Sequence, residues 1–351
     1  MKHIIPGFIP LGGKTSFSAA IRQVLAYHNI YLSEEMIFGL SAGLTFFYTE
    51  LKGSPYPVIS GKRMPREMAE EFSQNTGITL TPNTYSKSAR AAEALKKTLL
   101  NNNPAIVFVD RAVLGYHGIP GQLHFGDYAV VPYGIDEEQG VVIISDRDED
   151  GGEPVSLNPE VEPANRHIID EEEFRRSRAT RYLPFPVMHL MFTVSYHGFK
   201  PVLPAAIYES VYQVCRQMLS PEVITHGVKG LESYAARILR WIDYPAEQLR
   251  FSALNAYLAI HKSGGTGGGA FRKIYAGYLK EAAIITGQCS FHRASVALEE
   301  VAELWDDVGI DLQAIGQSGI RARIADASHK VSDIAQLESR IFSKLKEELD
   351  L

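Results

Sequence analysis

Gly13-Lys14-Thr15-Ser16-Phe17-Ser18-Ala19-Ala20-Ile21-Arg22-Gln23-Val24-Leu25-Ala26-Tyr27-His28 is a turn feeding an amphipathic helix. Ser16 or Ser18 can cap the helix, and Ala20, Ile21, Val24 and Leu25 share one face. The second decisive stretch is His124-Phe125-Gly126-Asp127-Tyr128-Ala129-Val130-Val131-Pro132-Tyr133-Gly134-Ile135-Asp136. It opens on His-Phe-Gly and continues as an apolar strand from Tyr128 to Tyr133. A turn over Asp136 to Gly140 leads to a partner strand, Val141 to Ser145.

Working outward, Ser33 caps a second short helix, and Pro65 suits the first turn of a third that ends at Gly77. Gly53 to Pro57 and Ser60-Gly61-Lys62 read as loop. Ala89 to Leu100 is helical, Ala105 to Val109 is a buried strand, and Arg147 to Gly152 is a charged loop. Glu171 to Arg178 is a short helix and Val187 to Tyr196 another strand. Beyond His197-Gly198-Phe199-Lys200-Pro201 only helical spacing remains: Ala205 to Leu219, Val228 to Trp241, Leu249 to His261, Phe271 to Thr286, Ala294 to Asp307 and Lys330 to Leu349. The expectation is an α+β chain, with a mixed domain over residues 1–198 and an all-helical domain over 199–351.

The 351 residues are enough for two cores. A formal net charge of −6 argues against nucleic acid as the main partner, because phosphate binding needs a basic face. Two cysteines, Cys215 and Cys289, are too few for a disulfide framework, lack metal spacing and fall at helical packing positions. The residue pattern therefore calls for no metal and no cofactor, and a reducing cytoplasm is the simplest home. The N-terminus lacks the apolar run of a signal peptide, and no stretch approaches the ~18 apolar residues of a membrane span.

The helix-opening turn followed by the His-Phe-Gly strand has the layout of a papain-like cysteine enzyme. Over roughly residues 10–310 the chain resembles butirosin biosynthesis protein H and its relatives. Their first motif, His-Cys before a Leu-Arg-Asn-Leu-Leu helix, falls on Thr15-Ser16 when that helix is laid on Ile21 to Leu25. Leu32 to Tyr48 matches closely, and the marker Gly-Thr-Gly-Gly-Gly-x-Phe-Arg stands intact at Gly265 to Arg272. Their His-Phe-Gly-Gly-His-Ala-Val falls on His124 to Val130. The resemblance implies an N-terminal domain similar to the bacteriocin-processing cysteine peptidases. It also implies an acyl group moved from a carrier protein to an amine. On this alignment Ser16 replaces the nucleophilic Cys and Tyr128 replaces the basic His.

Those replacements leave the chemistry open. A helix N-terminus offers free N–H groups that stabilise an oxyanion, yet a hydroxyl needs a base, so Ser16 is either nucleophile or cap. A phenol near pKa 10 is a poor base at neutral pH, so Tyr128 is expected to bind ligand or fill the site. His124 is the nearby imidazole, but lies ~13 Å from Tyr128 along an extended strand. It is a candidate base or a hydrogen-bonding group at the strand entrance. Asp146 falls where the resemblance places the His-orienting residue, and either accepts a bond from Tyr128 or starts the loop.

Thr15, Phe47 and Tyr48 are candidate ligand contacts beside Ser16, although an aromatic cluster at Phe46 to Tyr48 also reads as core. Gly267, Gly268 and Gly269 can form an anion-binding nest before a helix, with Arg272 meeting an anion or a carboxylate of the first domain. The terminal stripe Ile334, Leu337, Ile341, Leu345 and Leu349 packs on its own domain or on a second copy in a homodimer. Two functions follow. One is an enzyme moving or hydrolysing a small-molecule or carrier-bound acyl or aminoacyl group in specialised metabolism. The other is a non-catalytic binding or scaffold protein that keeps the pocket.

Overall fold

The computed structural model describes residues 1–54, 56–147 and 165–349. The part of the expected Arg147 to Gly152 loop beyond Arg147 lies outside the described residues. The chain divides into two compact units, residues 1–37 with 77–199 and residues 38–76 with 200–351. The fold is α+β, and the region after residue 200 is entirely helical among the described residues.

The first unit holds a seven-stranded antiparallel sheet. Its strands are β1 (Lys2–Ile4), β4 (Thr79–Asn83), β5 (Ile106–Val109), β6 (Tyr128–Asp136), β7 (Val141–Ser145), β8 (Arg166–Asp170) and β9 (Met191–Ser195). The order is β4-β9-β5-β6-β7-β8, with β1 added beside the far end of β6. β6 is buried at all nine of its positions, so both faces are covered. Helix α1 (Ser16–Tyr27) packs on β6 and β5; α4 (Ser88–Leu100) also packs on β6, and α5 (Glu171–Ala179) on β5. Gln23 of α1 accepts a buried hydrogen bond from Ser145, which fixes the helix against the end of β7.

The sequence reading missed β1, β4 and β8. All three are short, and β4 carries Pro82, which an edge strand tolerates because one row of N–H groups is unpaired. The expected strand at Val187 to Tyr196 is shorter, because Met188 and His189 adopt positive φ before it starts. Helix α2 (Glu34–Leu40) begins as expected, with the Ser33 hydroxyl accepting from Met36 N–H at 2.9 Å.

The second unit contains a hairpin, β2 (Leu44–Thr49) and β3 (Val58–Lys62), with α3 (Pro65–Thr76). Its other helices are α6 (Pro204–Leu219), α7 (Gly227–Ile238), α8 (Ala246–Ile260), α9 (Arg272–Thr286), α10 (Cys289–Ser318) and α11 (Arg323–Leu349). Ser60-Gly61-Lys62 is strand rather than loop. A Cβ at position 61 would stand 2.3 Å from the Ala270 carbonyl oxygen and 2.9 Å from Arg272 Nη1, so the glycine admits the chain that carries Arg272. The last two helices run longer than their periodicity suggested. Gly316 interrupts the pattern of α10 and lets Leu254 of α8 approach to 2.7 Å of where a Cβ would sit. α11 packs on α10, α7 and α6 within this unit, burying Ile334, Phe342 and Leu345. Cys215 is buried in α6, but Cys289 is exposed at the start of α10, which corrects the reading of both as packed.

At the centre of this unit Arg272 and Glu338 are both fully buried. Arg272 Nε and Nη2 donate to the two Glu338 oxygens at 2.8 and 2.9 Å, a bidentate fork. Nη1 donates to the carbonyls of Thr45 and Ala270, and Trp305 Nε1 donates to Glu338 at 3.2 Å. Removing one member leaves a buried charge uncompensated. Arg272→Ala or Glu338→Gln should therefore each cost about 3–5 kcal/mol in urea unfolding. The double variant should lose clearly less than the sum; strict additivity would contradict the coupling.

Candidate functional site

The opening of α1 is held by a carboxylate from α2. Glu34, fully buried, accepts from the Lys14 N–H at 2.8 Å and from the Thr15 N–H and hydroxyl at 2.6 and 2.8 Å. Burial raises its pKa against these donors. Neither Ser16 nor Ser18 caps the helix: Thr15 is the N-cap residue, and its hydroxyl is committed to Glu34. Ser16 is the first helical residue and is buried. Among the described residues the Ser16 hydroxyl has no hydrogen-bond partner, and no side chain caps the first-turn N–H groups. The helix end thus keeps the donors that favour a developing negative charge.

Asp146 follows β7 and is buried. Its Oδ1 accepts from the Tyr128 hydroxyl at 2.9 Å and from the Arg147 N–H at 2.6 Å, and its Oδ2 accepts from the Tyr116 hydroxyl at 2.7 Å. His117 Nε2 lies 3.3 Å from Oδ2 but out of line, and neither ring nitrogen has a hydrogen-bond partner among the described residues. The His117 ring meets Tyr128 edge-on at 5.1 Å, the Arg111 guanidinium lies 5.1 Å over the Tyr128 ring, and Tyr116 stacks on His167 at 3.9 Å.

Burial alone would raise the Asp146 pKa. The neighbouring His117, the Tyr116 hydroxyl and Arg147 outweigh it and hold the carboxyl below its ordinary value. Burial, then the Asp146 charge, push Tyr128 well above an ordinary phenol, so it stays protonated and donates. Burial holds His117 below an ordinary imidazole, so it is neutral near pH 7.

Of the sequence candidates, Tyr128 and Asp146 are brought together and Ser16 and Thr15 are neighbours at the start of α1. His124 goes elsewhere. Its Nδ1 sits 2.8 Å from Asp110 Oδ2, its ring stacks on Tyr182 at 3.5 Å, and Asp110 also accepts from the Phe125 N–H. The remaining candidates belong to the second unit. Phe47 stacks on His226, and Tyr48 packs on Tyr234 and donates to Glu50, as an aromatic core would. The Gly268 N–H donates to Thr266 Oγ1 and the Gly269 N–H to Asp306, so two donors of the expected nest are already used. Arg272 meets Glu338 of α11, not a carboxylate within residues 1–198.

Tyr116, His117 and Arg111 were not singled out from sequence. The available signal was a Tyr-His pair in the connection between β5 and β6. Among the described residues no group of His, Cys, Asp and Glu is arranged to hold a metal, and no helix is long and apolar enough to cross a membrane.

This arrangement, a helix opening on Ser16 packed on a sheet in which Tyr128 begins β6 and Asp146 follows β7, coincides with the span of a known domain family. The model for Butirosin biosynthesis protein H, N-terminal, matches residues 16–147, and that for Domain of unknown function (DUF4872) matches residues 172–345. Residues 16–147 are thus similar to the N-terminal domain of butirosin biosynthesis protein H, and the two matches together span most of the chain. No functionally curated protein matches it.

Because Asp146 is ionised and fully donated to, D146N should lose about 2–3 kcal/mol of stability at pH 7. The native pKa is depressed, so the contribution is complete above the unfolded pKa. It fades as pH falls through the native one. Urea unfolding at pH 7 and pH 3 should show the gap between wild type and variant narrowing at pH 3; a constant or widening gap would contradict an ionised Asp146.

Proposed function

We propose that the protein is a diverged relative of the butirosin-type acyltransferases, acting in specialised metabolism. On this reading it binds an acyl or aminoacyl group beside Ser16 without running thiol chemistry. The family match supports the acyl-handling class. The observation that carries the rest is the Tyr128–Asp146 hydrogen bond. A protonated phenol occupies the carboxylate that would orient an imidazole, and no base reaches Ser16 among the described residues. The uncapped first turn of α1 remains suited to a carbonyl oxygen. The N-terminal domain is read as papain-like, and two cysteines without a disulfide suit a reducing cytoplasm.

A second reading, a serine-dependent acyltransferase or hydrolase, would require Ser16 to come within reach of the His124 imidazole. Its Nδ1 is fixed on Asp110, which leaves Nε2 as the basic nitrogen. Incubation with an N-acetylcysteamine thioester of a short acyl chain, followed by intact-mass and thermal-shift measurement, separates the two. The binding reading expects a raised melting temperature and no covalent adduct. An acyl adduct that disappears in both S16A and H124A would establish the enzyme instead.

A further inference from the structure

The first unit contains a cavity of about 150 Å³ between α4, α5 and strands β6 and β7. Its walls are apolar, from Leu95, Ile135, Val142 and Phe174. One wall is not. Arg178, in the last turn of α5, lines the cavity and is 3% exposed. A guanidinium carries five N–H donors. Here Nη1 makes a 3.4 Å bond to the Ala91 carbonyl, while Nε and Nη2 have no hydrogen-bond partner among the described residues. No carboxylate forms an ion pair with Arg178 among those residues; the Phe174 ring lies 5.6 Å from its guanidinium, and Tyr85 and His189 are the ionisable groups that interact with its charge. Burial pulls its pKa down to about 10, which still leaves it charged at neutral pH. A buried, underpartnered cation is costly unless an anion meets it.

The rest of the lining narrows the class of that anion. His189 Nε2 and Ser88 Oγ, 3.2 Å apart, supply further polar atoms on the wall. Three exposed carboxylates, Glu137, Glu93 and Glu171, also line the cavity, and its two further cations are already paired, Lys96 with Glu137 and Arg175 with Glu172. Such a lining opposes a multiply charged ligand. An apolar cavity of ~150 Å³ takes a benzene ring.

We propose that this cavity binds an apolar monocarboxylate of about the size of benzoate, its carboxylate on the unpartnered N–H groups of Arg178 and its hydrocarbon part against Leu95, Val142 and Phe174. The proposal stands apart from the reading of Ser16.

Calorimetric titration of the full chain with benzoate, benzamide and inorganic phosphate tests it. Benzoate should bind saturably, benzamide at least about tenfold more weakly, and phosphate should not compete. R178M keeps the apolar volume, should fold by circular dichroism, and should weaken benzoate about tenfold or more. A92L, which narrows the cavity from α4 and leaves Arg178 in place, should weaken benzoate as well, and carries the test if R178M does not fold. Absence of benzoate binding to the wild type, equal affinity for benzamide, competition by phosphate, or unchanged benzoate affinity in either folded variant would overturn the proposal.

Discussion

A buried carboxylate must be met by donors, and Asp146 is the carboxylate around which the first unit's candidate site is arranged. Two phenols, one backbone N–H and a neighbouring imidazole surround it. They come from the Tyr116-His117 pair, the start of β6 and the residue after Asp146 itself, so satisfying Asp146 fixes where β6 starts, where β7 ends and how the connection after β5 returns to the sheet. Gln23 and Ser145 tie α1 to the same strand end, one residue before Asp146. The position of Ser16 at the head of α1 is thus set by the sheet and by Glu34, and not by a partner of its own hydroxyl among the described residues.

The same physical rule organises the second unit. The Gly265 to Arg272 marker delivers Arg272 to Glu338, and positive φ at Gly267, Gly268 and Gly269 turns the chain sharply enough to do so. Ala270 and Phe271 also adopt positive φ, a strained state for residues with a Cβ, and hold it in a loop packed against α10. The glycines therefore place a buried cation, a role that needs no ligand.

Much of this was legible in the sequence where the signal is local. β6 and β7 are apolar runs bounded by a turn, and α1 shows its apolar face within sixteen residues. The Tyr128–Asp146 hydrogen bond is one of the two alternatives the sequence leaves open for Asp146, because both residues flank those strands. The illegible parts depend on distant partners. Glu338 looks like any surface glutamate of a charged helix until Arg272, 66 positions earlier in the chain, is brought to it. Gly61 reads as a turn residue until the Ala270 carbonyl occupies the space its side chain would fill. His117 carries no motif, and only folding sets it beside Asp146.

On the proposed reading, Ser16 and Tyr128 stand where the resemblance puts a thiol and an imidazole, while the helix opening and the Asp146 carboxylate are kept. The most direct measurement is the pH dependence of iodoacetamide alkylation at residue 16 in S16C and in S16C with Y128H. If Ser16 and Tyr128 hold the nucleophile and base positions, an imidazole on Asp146 will lower the thiol pKa by at least about one unit relative to S16C alone. Two thiols that titrate together would contradict that placement.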